Sequence, residues 1–435
     1  MSLFGSLNIG VAGLAANSAA LSATSSNIAN VNTVGYKQAT TNFSTFLNSN
    51  GFSANTASAG VTAVIGQDVT SQGLPITTSS ATDMSISGNG FFVVSPNANS
   101  SQLEYTRAGS FRPDTDGNLV NAAGLYLRGW ALDSQGNVPT DTGNLSLINV
   151  SSVLGKAQAT DNLGVQANLQ ASDAVVSPYT AGDMASGTVK PEFQRTINVY
   201  DSQGGSQPLT FSFVKTAANT WSYEVSYAGS ASNISTTGPL YSGTMKFNSD
   251  GSLANADTAT TPATGNISLN IPWSATTGLQ PQAININLGT VNGTTGITQY
   301  DSTSTMNAST VNGSPFGSVT GVTIAKDGTV TAQFSNGLSQ DVYKIPVATF
   351  SNPDGLSQVS GNAYVANKNS GAANINIANS GSAGSIASQS LEGSTVDLAT
   401  EFTNLITTQR AYSASARIIT TADQMLQQLE QLPTN

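Results

Sequence analysis

Residues 394–432 read STVDLATEFTNLITTQRAYSASARIITTADQMLQQLEQL, and large apolar side chains recur along this stretch at intervals of seven. The apolar positions on this one face are Leu398, Phe402, Leu405, Tyr412, Ile419 and Leu426. Seven residues make two helical turns, so these side chains form a narrow stripe typical of a coiled coil. Ser394 followed by Asp397 predicts the helix start and Pro433 predicts its end, which gives a helix about 55 Å long. Because one helix cannot bury such a stripe on itself, we expect it to have partners.

A second stripe of the same period lies near the other end of the chain, within residues 3–30. Its members are Leu7, Leu14, Leu21 and Ile28. The residues between them are mainly Ala, Ser, Asn and Gly, which are small enough to let two backbones approach closely. An amphipathic helix that covers a globular core would give a similar pattern, so this alternative stays open. We predict that the two terminal helices pair, with the rest of the chain as an excursion between them.

The composition of the 435-residue chain argues against several classes of function. Only 9% of the residues are charged, the formal net charge is −10, and the chain contains neither cysteine nor histidine. Thiolate or imidazole metal sites, disulfides and Ser–His relays are therefore excluded. The acidic balance offers no basic stripe for a phosphate backbone. We expect no cofactor, no nucleic-acid partner and no enzymatic activity.

The first charged side chain is Lys37, and the next is Asp68. A secretory signal peptide needs a basic segment followed by a compact apolar core, and residues 1–36 have neither. The sequence also lacks a run of about 18 apolar residues, so no membrane insertion is expected. If the protein leaves the cell, we expect it to do so without a cleavable signal peptide.

Between the two helical segments the pattern changes to short alternating runs that predict β-strands. Asp116-Gly117, Asp250-Gly251 and Asp327-Gly328 predict tight hairpin turns, and Gly88-Asn89-Gly90 predicts another turn. The fold class is therefore mixed and mainly β: two stacked antiparallel β-rich domains formed as an excursion between N- and C-terminal coiled-coil-like α-helices. The predicted parts are a terminal helical domain (1–32 plus 390–435), a partly extended connector without sustained periodicity (33–77), an inner β domain (78–158 plus 320–389) and an inserted outer β domain (159–319).

Two pairs of acidic residues could in principle carry chemistry. Asp114 and Asp116 precede a glycine, but a calcium loop of the EF-hand type needs a further ligand and a distal Glu, so a plain turn is favoured. Asp201 and Glu224 could form a glycosidase pair if they met in a cleft. A turn aspartate and an exposed strand glutamate explain both residues, and this interpretation is favoured over an enzyme.

A specific motif follows the first helical stripe, in residues 26–37, SNIANVNTVGYK. This segment resembles the N-terminal signature of the bacterial flagellar axial proteins, the family of rod, hook and hook-associated subunits. The matching residues are Asn27, Ile28, Ala29, Asn30, Asn32, Thr33, Gly35, Tyr36 and Lys37. The blocks GNGFFVV (88–94), YTRAGSF (105–111), GLYLRGW (124–130) and VYDSQG (199–204) are similar to those of the hook members in particular. Residues 391–398, LEGSTVDL, resemble the family's C-terminal signature and depart from it at Thr395, where Asn is usual.

The resemblance implies a structural subunit that polymerises with itself into a helical homopolymer. This polymer would be a curved flexible tube outside the cell that transmits motor torque from rod to filament as a universal joint. Implied partners are the rod, hook-cap and hook–filament junction proteins and the flagellar type III export apparatus. The two apolar stripes would then be the assembly interface. The alternatives are a distal-rod or hook–filament junction subunit and, in another class, a secreted β-rich adhesin or glycan-active enzyme.

Overall fold

The computed structural model describes residues 3–48, 57–133, 135–141, 143–151 and 153–430. The fold is mixed and mainly β, with α-helices at the two ends of the described chain, as predicted. Two compact units are present. The first comprises Met1–Val153, Gly321–Gln333 and Ser339–Asn435, and the second comprises Leu154–Thr320 and Phe334–Leu338. The terminal helices, predicted as a domain of their own, therefore belong to the same compact unit as the inner β-strands.

Helices α1 (Leu3–Ala29) and α2 (Leu398–Glu430) pair in antiparallel fashion. Near the end of α1, the Asn27 side-chain amide lies 3.1 Å from the Glu401 carboxylate, one turn into α2. Towards the start of α1, a Cβ placed on Gly13 would lie 3.0 Å from Ser415 Oγ. A Cβ on Gly10 would lie 3.0 Å from the side chain of Ile419. The glycines thus allow the two helix backbones to approach closely.

The residues that form the seam between the helices differ from the predicted ones. The buried positions of α1 are small or polar: Gly10, Gly13, Ala16, Ala20, Ala23, Thr24 and Asn27. The predicted stripe of α1 (Leu7, Leu14, Leu21 and Ile28) is only half-buried. On α2, Leu405, Ile419 and Leu426 are half-buried, whereas Leu398, Phe402 and Tyr412 are exposed. The two helices pair as predicted, but the two apolar stripes do not form most of the seam. The backbones approach so closely that only small side chains fit between them.

Helix α2 begins at Leu398, four residues after the predicted start at Ser394. Asp397 is its N-cap, since its Oδ1 accepts a hydrogen bond from the Thr400 amide at 2.9 Å. Ser394 instead accepts a hydrogen bond from the Val396 amide, in the turn that precedes the helix. The described helix has 33 residues and is about 50 Å long. The predicted end at Pro433 lies outside the described residues.

The Asp397 cap makes the first turn of α2 sensitive to acid. Hydrogen bonds from the Thr400 and Ala399 amides hold the pKa of Asp397 below its ordinary value of 3.8. The cap therefore stabilises the helix start fully above pH 3.8, and its contribution is lost as the pH falls through the lower folded-state pKa. We expect amide-exchange protection of this turn to stay level from pH 6 to pH 3.8 in the wild type and to decline below pH 3.8, whereas it should stay level throughout in Asp397→Asn, which caps without titrating. Equal declines in both proteins would contradict this role.

Residues 33–77, predicted as a connector without sustained periodicity, contain a regular antiparallel hairpin. Strands β1 (Ala39–Asn48) and β2 (Ala57–Gln67) pair from Ala39 opposite Gln67 to Phe46 opposite Gly60. The hairpin packs on α1, where a Cβ on Gly60 would lie 2.8 Å from the Ala12 methyl group. The segment is rich in Thr and Val, which fit a pleated surface. The prediction missed this hairpin because polar and apolar residues do not alternate cleanly along it.

The remaining strands of the first unit surround its two apolar cores. The early strands are β3 (Pro75–Thr77), β4 (Met84–Ser87), β5 (Phe91–Ser95), β6 (Glu104–Thr106), β7 (Phe111–Pro113), β8 (Leu119–Asn121), β9 (Tyr126–Ala131) and β10 (Ser146–Leu147). The returning chain adds β24 (Thr329–Phe334), β25 (Ser339–Lys344), β26 (Pro346–Thr349), β27 (Ser357–Val359), β28 (Ala363–Val365), β29 (Asn374–Ile377), β30 (Ser385–Ser388) and β31 (Ser390–Glu392), while β23 (Val319–Ile324) spans the boundary between the units. One core is built around Phe92, Phe111 and Leu127, and the other around Phe91, Trp130 and Tyr364.

The tight turns predicted from Asp-Gly pairs are confirmed. Gly117 lies between β7 and β8 with a φ of 87°, and Gly328 lies between β23 and β24 with a φ of 81°. Both values belong to the left-handed region that glycine adopts without a steric penalty. The predicted turn at Gly88 to Gly90 joins β4 to β5. These two strands pair with different neighbours, β4 with β30 and β5 with β6, β9 and β26.

The second unit contains two five-stranded sheets around one large core. Its strands are β11 (Lys156–Gln158), β12 (Asn162–Gln170), β13 (Phe193–Tyr200), β14 (Ser206–Ala217), β15 (Thr220–Tyr227), β16 (Tyr241–Phe247), β17 (Leu253–Asn255), β18 (Asn266–Ile271), β19 (Gln282–Asn287), β20 (Ile297–Tyr300), β21 (Thr305–Val311) and β22 (Ser314–Gly317). The sheet β13 to β17 is antiparallel, and the predicted Asp250-Gly251 turn joins β16 to β17.

The other sheet corrects the prediction of purely antiparallel domains. Strand β12 pairs in parallel with β19 and with β20, and in antiparallel fashion with β21. Parallel pairing arises because the chain completes the whole β13 to β17 sheet before it returns beside β12. Ile284 and Ile286 of β19 are fully buried in the core of this unit.

Candidate functional site

A buried carboxylate joins the base of the terminal helices to the β-strands of the first unit. Glu392 lies 2.6 Å from Lys37 Nζ through one oxygen and 3.2 Å from Arg107 Nη1 through the other. All three side chains are at most 3% exposed. The Gly73 amide also donates to Glu392, at 2.9 Å. Four stretches that are distant in the sequence therefore meet at a single acidic side chain.

The two cations of this cluster have further partners besides Glu392. Lys37 Nζ also donates to the Ser71 carbonyl, and Arg107 Nη2 donates to the Gly88 carbonyl at 2.9 Å. The guanidinium lies over the Phe91 ring, 5.3 Å from its centre, where a cation–π contact adds to the ion pair. Burial lowers the pKa of Lys37 and of Arg107, and the Glu392 carboxylate opposes that effect in both. Lys37, Arg107 and Glu392 keep these partners only while all the contributing stretches are in place.

Asn27, the first residue of the signature, ties both helices to the hairpin. Its side-chain amide donates to the Ala39 carbonyl and its oxygen accepts from the Ala39 amide, each at 2.8 Å, as a paired strand residue would. The same oxygen accepts from the Tyr36 hydroxyl at 3.2 Å. The Asn27 amide also donates to buried Glu401 of α2, which accepts from Gln38 as well. One amide side chain thereby fixes the end of α1, the start of β1 and the first turn of α2.

The other signature residues form the chain reversal between α1 and the hairpin. Asn30 donates back to the Ser26 carbonyl at 2.9 Å and accepts from Thr33 at 3.0 Å, which closes the end of α1. Ile28 is half-buried, and Ala29 and Asn32 are exposed. The signature therefore ends α1 and, through Gly35 with its positive φ, turns the chain towards the hairpin.

Gly35 is required by both its backbone conformation and its neighbours. Its φ is 67°, and a Cβ there would lie 2.7 Å from the backbone of Arg107 and Ala108. Its amide donates to the Glu392 carbonyl at 2.7 Å. We expect Gly35→Ala to reduce the free energy of unfolding of the first unit by more than about 2 kcal/mol, because left-handed strain and a backbone clash add together.

Urea denaturation would measure this loss, with Gly124→Ala as the matched control. Gly124 also has a positive φ, 83°, but a Cβ there would meet no atom within 4 Å in the described part of the chain. The control should therefore cost only the conformational strain, about 1–2 kcal/mol. A Gly35→Ala protein no less stable than Gly124→Ala would contradict the close approach to Arg107.

Helix α2 carries a large set of exposed apolar side chains, which we call the α2 apolar set. Its members are Leu398, Phe402, Ile406, Tyr412, Ile418 and Met425. Phe402 is 52% exposed, more than any other member. Of the predicted α2 interface residues, the set contains Leu398, Phe402 and Tyr412, while the half-buried Leu405, Ile419 and Leu426 belong to the contact with α1. So many large apolar side chains on one helix are typical of a surface that meets another protein.

Four segments of the chain match known protein families. Residues 85–153 match the family described as the flagellar hook protein FlgE/F/G D1 domain, and residues 168–314 match the flagellar basal body protein FlaE D2 domain. Residues 7–37 match a flagella basal body rod protein family, and residues 387–432 match the C-terminal family of flagellar basal body rod FlgEFG proteins.

Several relatives that match over nearly their whole length share one description. The flagellar hook protein FlgE of Caulobacter vibrioides is 33% identical, with 99% of each chain covered. That of Rhizobium meliloti is 35% identical over 99% of this chain and 100% of its own length. That of Salmonella typhimurium is 32% identical over 97% and 98%. The chain belongs to the flagellar hook protein family.

As a member of the hook protein family, the chain is a structural subunit of the flagellar hook, which confirms the resemblance drawn from residues 26–37. The comparisons do not favour the rod, junction, adhesin or enzyme alternatives. The family suggests a role without catalysis. The anchor residues Lys37, Arg107 and Glu392 all lie in blocks that carried the resemblance, but their mutual contact was not predicted from the sequence.

Asp201 and Glu224, the two carboxylates considered as a glycosidase pair, accept hydrogen bonds that stabilise loops and turns. Glu224, expected to be exposed, is buried and accepts hydrogen bonds from the Tyr179 hydroxyl at 2.6 Å and from the amides of Gly182 and Ala185, each at 2.7 Å. It lies inside the second unit because a loop closes over it. Asp201 accepts from the Gln203 and Gly205 amides within its own turn. Both carboxylates thus have structural partners.

Two further observations concern the described residues alone. Their acidic side chains do not gather in groups of three or more that could hold a metal ion. Neither of their long helices is apolar enough along its length to cross a membrane.

Proposed function

We propose that this hook subunit polymerises into a helical tube whose core is built from α1 and α2. The α2 apolar set carries the proposal, because six large apolar side chains remain exposed on a helix that is already paired. The seam between α1 and α2 uses small residues, and this leaves the larger ones free to contact neighbouring copies. The half-buried residues Leu7, Leu14, Leu21 and Ile28 would complete their burial in the same contacts.

An open helical polymer requires a heterologous contact, in which two different surfaces of one chain meet. Each copy then offers one surface to the copy before it and another to the copy after it. The terminal helices would line the inner wall of the tube. The tube would be curved and flexible and would transmit motor torque from rod to filament as a universal joint.

The same proposal includes the export route of the subunit, its location and its neighbouring proteins. The subunit would be exported by the flagellar type III apparatus without a cleavable signal peptide, and it would act outside the cell. Its neighbours would be the rod below, the hook cap during growth and the hook–filament junction proteins above. Torque transmission needs no chemistry, which agrees with a chain that contains neither cysteine nor histidine.

Negative-stain microscopy of the concentrated, purified chain tests this proposal. The full chain should form tubes of constant diameter, whereas a variant that ends at Thr395 and so lacks α2 should form none at the same concentration. Circular dichroism of the truncated protein should still report the β-strands, which would show that assembly rather than folding of the body was lost. Tubes formed by the truncated protein, or none formed by the full chain under any condition that supports its folding, would reject the proposal.

A further inference from the structure

We infer that Met425 of α2 is an oxidation site, and that its conversion to the sulfoxide by peroxide hinders assembly of the subunit. The inference rests on the proposed polymerisation and deepens it, because it assigns Met425 to a contact that is buried between copies. The reagent is a two-electron oxidant that transfers oxygen to sulfur, and hydrogen peroxide is the member of this class used below.

Exposure selects Met425 among the side chains that peroxide can oxidise. The chain contains six methionines and no cysteine, so a thioether is its most reactive sulfur, and all three tryptophans are buried. Five of the methionines lie in the described residues. Met84 and Met245 are fully buried, Met184 is 7% exposed, and Met306 is half-buried against the core of the second unit. Met425 is 49% exposed and is therefore the methionine among these five that a dissolved oxidant reaches most easily.

The position of Met425 on α2 separates its role in assembly from the stability of the subunit. Ile418 lies two helical turns earlier on the same face, and both side chains belong to the α2 apolar set. The contact with α1 uses other α2 residues, among them Ser415 and Ile419. Oxidation of Met425 should therefore leave the helix pair of the single chain intact and change only the surface that α2 offers to another copy.

The reaction is an oxygen transfer that makes an apolar side chain polar. The peroxide O–O bond breaks, one oxygen forms a bond to the Met425 sulfur, and the other leaves as water, so that sulfur is oxidised by two electrons and the peroxide is reduced by two. In the free subunit, water donates hydrogen bonds to the new sulfoxide oxygen. In a buried contact the oxygen would lose these donors, and Ile418 beside it offers only carbon. The sulfoxide therefore disfavours the assembled state.

Limited treatment with hydrogen peroxide, followed by peptide mass spectrometry, tests where Met425 lies before and after assembly. In the free subunit Met425 should be converted at least about tenfold faster than Met84 and Met245, because those two sulfurs are buried. In tubes assembled before the treatment, Met425 should react more slowly than in the free subunit by a similar factor, because the contact covers it. Equal rates for Met425 and the buried methionines, or equal rates in tubes and in free subunits, would overturn the inference.

Sedimentation of tubes against protein concentration measures the effect on assembly. The oxidised full chain should need about tenfold more protein than the untreated chain to form tubes, which is the effect of one buried polar group without a partner. Incubation with the two methionine sulfoxide reductases, one for each epimer, should restore the original concentration. The matched control is Met425→Leu, which nearly conserves the volume and cannot be oxidised, so peroxide should not change its assembly. Met306→Leu should respond to peroxide as the wild type does.

The outcomes separate this inference from the proposed function. An untreated wild-type chain that forms no tubes would reject the proposed function, and the inference with it. Oxidised wild type that assembles at the untreated concentration would overturn the inference alone and leave polymerisation standing. An equal loss of assembly in treated Met425→Leu, or a loss that the reductases do not reverse, would assign the effect to another residue and would overturn the inference as well.

Discussion

Replacing Glu392 with glutamine is expected to reduce the free energy of unfolding of the first unit by about 3–5 kcal/mol. The substitution keeps the size of the side chain and removes its charge. Lys37 and Arg107 would then be two buried cations without a counter-ion. Because both side chains are almost fully buried, water could not replace the lost carboxylate charge. Burial already lowers the pKa of Lys37, so the variant favours its deprotonation or the opening of the cluster.

Hydrogen exchange monitored by mass spectrometry would locate the loss, and urea denaturation would measure it. Strands β5 and β9 should exchange faster, while β14 and β15 of the second unit should keep their protection. The matched control is Lys344→Met, which breaks the ion pair with Asp327, a carboxylate that is 47% exposed. Exposed pairs contribute less than about 1 kcal/mol, so the control should change little. A Glu392→Gln protein as stable as this control would show that the cluster of Lys37, Arg107 and Glu392 does not stabilise the first unit.

The elements that depend on local chemistry could be predicted from the sequence. Helix α1 begins and ends within a residue of its prediction, because the seven-residue period and the asparagine-rich end are local signals. The turns at Gly117, Gly251 and Gly328 are predictable because a left-handed residue after Asp needs glycine. In each case the chemistry that fixes the conformation lies within a few residues.

Burial between the helices could not be predicted in the same way. A pattern of large apolar residues predicts which side of a helix avoids water, but it does not say which partner covers that side. In α1 the closest approach to α2 is at Gly10 and Gly13, where a larger residue would push the backbones apart. The larger residues at the same period remain half-buried for other contacts. The seven-residue repeat therefore indicates residues that are available for contacts with other subunits. It does not identify the residues that pair α1 with α2 within one chain.

The contacts among Lys37, Arg107 and Glu392 could not be predicted for a different reason. Lys37 and Glu392 are 355 positions apart, and a single sequence carries no signal that two such distant residues meet. One hint was present, since Lys37 is the first charged residue of the chain and the last residue of the signature. The parallel pairing of β12 is a similar case, because strand direction depends on where the chain returns after a long excursion.

Phe402→Asp is expected to block polymerisation without unfolding the chain. Phe402 is half-exposed in the single subunit, so a charged residue there costs little beyond helix propensity. In a subunit contact the same carboxylate would be buried without a partner, at a cost of at least about 3 kcal/mol. That cost corresponds to a rise of more than about hundredfold in the concentration needed for assembly. Sedimentation of tubes against protein concentration would measure this rise, and calorimetry would test that the monomer melts as the wild type does.

Two further substitutions on the same helix separate the possible causes. Leu405→Asp should lose both assembly and stability, because Leu405 is half-buried in the contact with α1. Thr420→Asp should lose neither, because Thr420 is an exposed polar residue outside the α2 apolar set. All three variants add one negative charge to α2, so a difference between them reports the position of the charge and not its presence. If Phe402→Asp assembles at the wild-type concentration, the α2 apolar set is not the interface, and the exposed residues of α1 and the hairpin become the surfaces to test.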